Sequence, residues 1–121
     1  MSKAYIPSRS DIVWLDFEPT KGKEIGKYRP ALVLSSEIYN QQTELLICCP
    51  ISTSIRGSST EVPIDSLDQP SVIAASLIQT LSWKDRKAKF ITVADPQVVT
   101  QVLTRIIPLI GADRIIDQFI V

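Results

Sequence analysis

The 121-residue sequence contains no histidine and only two cysteines. The lack of histidine excludes a Ser-His-Asp triad, a paired-histidine nuclease site and a histidine-ligated metal, so acid–base chemistry falls to carboxylates, lysines, tyrosines or hydroxyls. Cys48 and Cys49 are neighbours, and neighbours in a strand point to opposite faces, which places them badly for a mutual disulfide. We therefore expect buried strand thiols, and neither a metal nor a cofactor.

The chain also lacks net charge and long apolar runs. Its formal charge at pH 7 is zero, so the protein as a whole does not steer toward nucleic acid. No apolar segment approaches the ~20 residues that a membrane-spanning helix needs. Residues 1–11 carry no apolar signal segment, and we expect a cytoplasmic protein without membrane contact.

The basic residues are present but unevenly distributed. Of 13 lysines and arginines, eight fall in the two short stretches 21–29 and 84–89. If folding brings these stretches together, they form a local basic surface of the kind that binds nucleic acid. The alternative is that each stretch is an ordinary solvated loop.

Short segments rich in β-branched and aromatic residues, separated by turn residues, predict a mainly β protein. The predicted strands are 11–17, 29–36, 44–52, 60–64, one or two strands within 71–83, and 87–94. The sequence YNQQT, residues 39–43, is interpreted as a polar turn before the third strand. Several short strands with turns between them are typical of a small barrel.

The C-terminal segment changes to a helical period. Asp95 is suited to cap a helix that begins with Pro96, and apolar residues then recur at helical spacing over 98–107. Pro108 should kink or end this helix, and the pattern at 112–121 favours a second, short helix. We predict one domain over residues 1–121, of the mainly β (α+β) class, with the helix packed on the barrel.

Polar residues suited to phosphate chemistry lie near the predicted strand ends. Arg29 stands where a charged loop becomes core, and a guanidinium offers a phosphate two parallel hydrogen bonds. Glu24 could accept a proton, and the hydroxyl of Ser52 could bond a phosphate oxygen. With RNA as substrate, the nucleophile can be the RNA's own 2′-hydroxyl, and neither a metal nor histidine is then required.

Four sequence stretches carry a family resemblance. They are SDIVWLDFEPTKGKE at 10–24, RPALVLS at 29–35, YN at 39–40 and CPISTSIRG at 49–57. The chain resembles the MazF/PemK (Kid) family of toxin endoribonucleases from bacterial toxin–antitoxin systems. The resemblance implies an SH3-like β-barrel with a C-terminal helix, a homodimer, and metal-independent cleavage of single-stranded RNA at a short sequence. It also implies 2′,3′-cyclic phosphate and 5′-hydroxyl ends, and inhibition by a cognate antitoxin.

The resemblance also implies roles for individual residues. Arg29 corresponds to the catalytic arginine, Glu24 is the candidate general base, and Ser52 stands where the family usually has threonine. The positions that would line the RNA site are Phe17, Lys21, Thr53 and Arg56. For Phe17, core packing is nearly as good an interpretation as stacking on an RNA base.

The sequence departs from the family at Ser76 and Leu77, where many members carry an acid and a glutamine. This departure keeps open a binding module that retains affinity for RNA or antitoxin but has lost cleavage. A second alternative is a non-enzymatic toxin on the same barrel, because the CcdB family resembles this fold but inhibits DNA gyrase. That family ends in a Trp-Gly-Ile tail, whereas this chain ends in DQFIV.

Overall fold

The computed structural model describes residues 4–120, which form seven strands and three α-helices. The strands are β1 (Asp11–Asp16), β2 (Tyr28–Val33), β3 (Leu45–Ser52), β4 (Glu61–Ile64), β5 (Ser71–Ala74), β6 (Gln79–Ser82) and β7 (Lys89–Val93). The helices are α1 (Glu37–Thr43), α2 (Pro96–Leu109) and α3 (Ala112–Phe119). This confirms the expected mainly β class with a C-terminal helix and a second short helix.

All strand pairs are antiparallel, and they form one curled sheet in the order β4-β5-β3-β2-β1-β7. Strand β6 also pairs with β3, so that the long strand β3 contacts three neighbours. The segment 71–83, predicted as one or two strands, contains two, separated by a 3-10 turn at Ala75–Leu77. The loops at one end of β2 and β3 are the ones that border the candidate site.

Side chains of successive residues in the same strands pack into two separate hydrophobic clusters, one on each face of the sheet. On one face, side chains from β1, β2 and β3 pack with α2: Ile12, Leu32, Cys49, Ile51, Val99, Val102 and Ile106. On the other face lies a second cluster: Val13, Leu15, Phe17, Ala31, Val33, Leu46 and Cys48. Burying one aliphatic side chain contributes roughly 1.5–3 kcal/mol to the stability of the fold, so the two clusters hold these strands in place.

Helix α2 begins as its sequence predicts and runs slightly past its proline. The carboxylate of Asp95 accepts a hydrogen bond from the N–H of Gln97, and Pro96 is the first helical residue. Pro108 lies in the last turn, where the helix ends at Leu109, and Gly111 follows with φ +74°. The next helix, α3, buries none of its residues. Among residues 4–120, none of the helices is both long and apolar enough to cross a membrane.

The interpretation of YNQQT as a turn is wrong, because these residues belong to α1. The hydroxyl of Ser36 accepts a hydrogen bond from the N–H of Tyr39 and caps the helix. Inside it, Asn40 is fully buried, and its amide donates to the carbonyl of Pro7 at 2.7 Å. The indole of Trp83 donates to the carbonyl of Asn40 at 2.9 Å. These hydrogen bonds between distant residues stabilise a short polar helix that its own sequence pattern does not predict.

Candidate active site

Strands β2 and β3 bring Arg29 and Ser52 to the same end of the sheet. The pairing of β2 with β3 ends at Ala31 and Pro50, and Arg29 and Ser52 each lie two residues beyond this last pair. Side chains two residues apart in a strand point to the same face, so Arg29 continues the face of Ala31 and Ser52 continues the face of Cys48, which is the face of the second core cluster. The two residues come from distant parts of the sequence, and the antiparallel ladder brings them to the same end of the sheet.

Arg29 is half-buried and held by its own loop. Its Nε donates to the carbonyl of Gly26 at 2.6 Å. Partial burial lowers the pKa of the Arg29 guanidinium, and the nearby negative charge of Glu18 raises it in part. The side chain is thus anchored through Nε, and no ion pair holds it within residues 4–120. An arginine presented in this way has its terminal N–H groups available for a phosphate.

The β1–β2 loop, residues 17–27, is built around two carboxylates. Glu24 accepts a hydrogen bond from the N–H of Lys21 through Oε1 at 2.6 Å, and its own N–H donates back to the carbonyl of Lys21 at 3.1 Å. Glu18 accepts from the N–H of Lys27 at 3.1 Å. Glu24 is exposed, so its carboxylate is accessible to a substrate while the turn fixes its position.

The two basic stretches of the sequence come together in the fold. Arg86 donates through Nη1 to the carbonyls of Asp16 and Glu18, at 3.0 and 2.9 Å. The hydroxyl of Tyr28 donates to the carbonyl of Lys87 at 3.1 Å. The stretch 84–89 therefore packs against the ends of the β1–β2 loop. Within this stretch, Lys84 forms an exposed ion pair with Glu44, the residue that follows α1.

A cavity of about 340 Å³ collects several of the predicted site residues, and we call it the Glu24–Ser52 cavity. Polar side chains dominate its lining, namely Lys23, Glu24, Ser52, Ser54, Arg56, Ser58, Thr60, Glu61 and Ser76. Leu77 lines it as well, so both departures from the family pattern face the candidate site. The cavity brings the carboxylate of Glu24 together with the hydroxyl of Ser52 and with Arg56, which come from a segment distant from Glu24 in the sequence.

The β3–β4 loop, residues 53–60, is held by Glu61 at the start of β4. Its Oε1 accepts hydrogen bonds from three consecutive N–H groups, those of Arg56 at 3.2 Å, Gly57 at 2.9 Å and Ser58 at 3.1 Å. Gly57 has φ +76°, a backbone conformation that favours glycine. Glu61 is not among the residues that the sequence predicts for the site, and no sequence signal marks it, because its hydrogen-bond partners depend on the loop conformation.

Of the four predicted RNA-binding residues, only Arg56 lines the Glu24–Ser52 cavity in the described part of the chain. Lys21 lies beside it in the turn closed by Glu24, and Arg29 also lies outside the lining. Phe17 is only 2% exposed and packs in the second core cluster with Val13 and Leu15, so its ring is unavailable for stacking on a base. This corrects the RNA-stacking expectation, and the two-residue alternation along β1 was the signal for burial. Thr53 points away from Ser52 and lines a different cavity, beside Trp14 and Pro30.

The two thiols are isolated from the candidate chemistry. Cys48 and Cys49 are fully buried and belong to the two opposite core clusters, as the sequence predicts. Burial raises the pKa of both thiols, that of Cys49 to about 12, so both stay protonated and poorly nucleophilic. In the described part of the chain, no three aspartate, glutamate or cysteine side chains gather in a metal-binding arrangement.

Comparison with protein families places this geometry in context. A family profile described as the PemK-like, MazF-like toxin of type II toxin–antitoxin systems matches residues 8–110. The chain belongs to this family. The match covers both loops of the Glu24–Ser52 cavity and ends at residue 110, before α3 begins.

Individual MazF proteins are similar along most of their length. The endoribonuclease toxin MazF of Escherichia coli K12 is 33% identical over 111 residues, which is 92% of this chain and 100% of that protein. The solved structure of MazF from Deinococcus radiodurans has a TM-score of 0.86 at 35% identity, covering 89% of this chain and 99% of that one. A MazE–MazF structure from the same organism has a TM-score of 0.79 at 35% identity, covering 89% and 98%.

Proposed function

We propose that this MazF/PemK-family protein is a metal-independent, sequence-specific endoribonuclease toxin that cleaves single-stranded RNA. Relatives named as endoribonucleases support the activity, and a solved MazE–MazF structure supports neutralisation by a cognate antitoxin. We further propose that it acts as a homodimer. The observation that carries the proposal is the meeting of Glu24, Ser52 and Arg56 in one cavity, with Arg29 on the adjacent strand.

In this mechanism the RNA supplies its own nucleophile. The carboxylate of Glu24 takes the proton from a 2′-hydroxyl, whose oxygen then forms a bond to the neighbouring phosphorus. The bond to the 5′-oxygen breaks, and this oxygen takes a proton from water. The products are a 2′,3′-cyclic phosphate and a 5′-hydroxyl. A positioned carboxylate base of this kind contributes about 10²–10⁴-fold in rate.

Arg29 and Ser52 act on the phosphate in this proposal. The guanidinium of Arg29 stabilises the charge that develops on the phosphate oxygens, and the hydroxyl of Ser52 holds one of those oxygens. Loss of a preorganised donor such as Arg29 typically costs about 10²–10³-fold in rate, and the neutral hydroxyl of Ser52 contributes less. Arg56 would contact the RNA backbone in the cavity, and Lys21 would contact it from the turn closed by Glu24. The exposure of Arg56 and its place in the cavity lining support this role.

The first prediction tests the activity itself. Purified protein is incubated with a long single-stranded RNA in excess EDTA, beside Arg29→Ala, and the cut sites and end groups are mapped. We expect wild type to cut at one short motif, leaving 5′-hydroxyl ends, and Arg29→Ala to be at least about 10²-fold slower. Arg114→Ala is the matched control, because Arg114 lies in α3, outside the region matched by the family profile.

Other outcomes would change the proposal in distinct ways. RNA that stays intact with folded wild type contradicts endoribonuclease activity. If the intact RNA is nevertheless bound in a salt-dependent manner, the binding module without cleavage becomes the better description. Ser76 and Leu77 favour that second candidate, since both line the Glu24–Ser52 cavity in place of the family's acid and glutamine.

A further inference from the structure

The carboxylate of Glu61 is committed to the backbone of the β3–β4 loop. Three N–H groups from Arg56 to Ser58 converge on its Oε1, and the N–H of Arg56 also approaches Oε2 at 3.3 Å. Consecutive N–H groups that point to one spot form an anion-binding concavity. Here a carboxylate of the same chain fills it. A loop with several N–H groups on one oxygen is pinned at that oxygen.

Glu61 itself stands on a rigid support. It is the first residue of β4 and pairs with Ala74 of β5. Its N–H donates to the carbonyl of Ser58 at 3.1 Å, which closes the loop from the other direction. The position of the loop is therefore set by a strand, and the loop includes Arg56, whose side chain lines the Glu24–Ser52 cavity.

We propose that Glu61 is a positioning residue for RNA binding, which holds the β3–β4 loop so that Arg56 meets a phosphate of RNA bound in the Glu24–Ser52 cavity. The inference deepens the proposed function and rests on it. An arginine that is already placed loses less conformational freedom when it binds a phosphate. Glu61 thereby favours the binding of an anion although it is itself an anion.

The sign of the effect distinguishes this role from simple electrostatics. Glu61 lines the same cavity as the proposed phosphate contacts, so its charge alone would repel RNA. If charge were all that mattered, removing the carboxylate would strengthen RNA binding. If Glu61 acts through Arg56, removing it weakens RNA binding. The two accounts predict opposite changes for the same substitution.

The experiment measures binding to an RNA that cannot be cut. The probe is a mixed-sequence single-stranded RNA in which every ribose is 2′-O-methylated, so that no 2′-hydroxyl can attack. Affinity is measured over a range of salt concentrations for wild type, Glu61→Ala, Glu61→Gln, Glu61→Asp and Arg56→Ala. We expect Glu61→Ala to bind about fivefold more weakly and to lower the salt slope by about 0.7, as Arg56→Ala does.

The conservative variants separate the loop contact from the charge. Glu61→Gln keeps an oxygen for the three N–H groups without the charge, and we expect binding at least as tight as that of wild type. Glu61→Asp keeps the charge but falls one methylene short, and we expect weaker binding. If circular dichroism shows that Glu61→Ala does not fold, the comparison of Glu61→Gln with Glu61→Asp still distinguishes loop positioning from charge. Glu37→Ala, which removes a carboxylate from α1, is the control for total charge.

Defined results would overturn the inference. Equal or tighter binding by Glu61→Ala or Glu61→Asp would contradict it, as would a further loss when Glu61→Ala is added to Arg56→Ala. Cleavage of unmodified RNA is measured in parallel. Wild type that binds the methylated RNA but cuts nothing would refute the nuclease and leave the Glu61 result valid. Wild type that neither binds nor cuts would refute both.

Discussion

The β1–β2 loop and the β3–β4 loop border the same cavity, and each is organised by a glutamate. Within residues 4–120, Glu24 accepts one backbone N–H, whereas Glu61 accepts three. A carboxylate that is saturated by backbone donors is a structural element, while one with free acceptor capacity can take a proton from a substrate. This difference supports the proposed division, in which the first loop supplies the base and the second positions a phosphate contact.

The largest difference between the two loops is expected when each glutamate is replaced separately by glutamine. Glu24→Gln retains an oxygen for the N–H of Lys21 but cannot act as a base, so we expect cleavage to fall about 10²–10⁴-fold while RNA binds at least as tightly as to wild type. Glu61→Gln should cleave at nearly the wild-type rate. Single-turnover cleavage at saturating enzyme measures the chemical step directly.

The opposite pattern would break the comparison. If Glu61→Gln lost cleavage and Glu24→Gln retained it, the general base would be Glu61 and not Glu24. Equal losses would show that the cavity responds only to its total charge. Denaturation in urea provides the folding control for both variants, since an unchanged midpoint excludes global destabilisation.

Sequence patterns were sufficient for the parts of the molecule that local periodicity determines. The strands follow from segments of β-branched and aromatic residues between turn residues, and the cap follows from an aspartate placed before Pro96. The helix after Pro96 follows from its helical repeat, and the opposite orientation of Cys48 and Cys49 follows from the two-residue repeat of a strand. The burial of Phe17 was available from the same repeat, because it continues the face of Val13 and Leu15. A resemblance to RNA-binding positions gave that residue a different role, and the packing overrides it.

Long-range hydrogen bonds account for what the sequence could not predict. The helix α1 depends on Asn40, which contacts Pro7 and Trp83, residues that lie 33 and 43 positions away. The hydrogen bond from Arg86 to the carbonyl of Asp16 at the end of β1 joins residues 70 positions apart. Glu61 binds residues close to it in sequence, but only the folded loop shows that their N–H groups converge. Such contacts leave no periodic pattern in the chain.

A smaller effect is expected at Ser52, which stands between the two loops. Ser52→Ala removes the hydroxyl that would bond a phosphate oxygen, and hydrogen bonds to charged groups contribute about 1.5–3 kcal/mol. We therefore expect cleavage to fall about 10- to 100-fold. Ser52→Thr keeps the hydroxyl and should retain most of the activity. Rates that are equal for Ser52→Ala and wild type would remove Ser52 from the mechanism.

The mildest test compares one glycine from each loop. Gly22 and Gly57 have φ +57° and +76°, and an added Cβ would meet no atom within 4 Å at either position. Alanine therefore introduces backbone strain alone, and we expect each variant to lose about 1–2 kcal/mol of unfolding free energy. Measurement of the urea midpoint checks this expectation.

The two glycine variants should differ in RNA binding despite this similar cost. Gly57 donates one of the three N–H groups that converge on Glu61, so Gly57→Ala strains the contact that positions Arg56. We expect it to weaken binding of the methylated RNA a few-fold, in the same direction as Glu61→Ala. Gly22 makes no such contact in the turn closed by Glu24, and Gly22→Ala should bind as wild type does. Equal binding losses would mean that both loops position the RNA, and the division of roles between Glu24 and Glu61 would then be wrong.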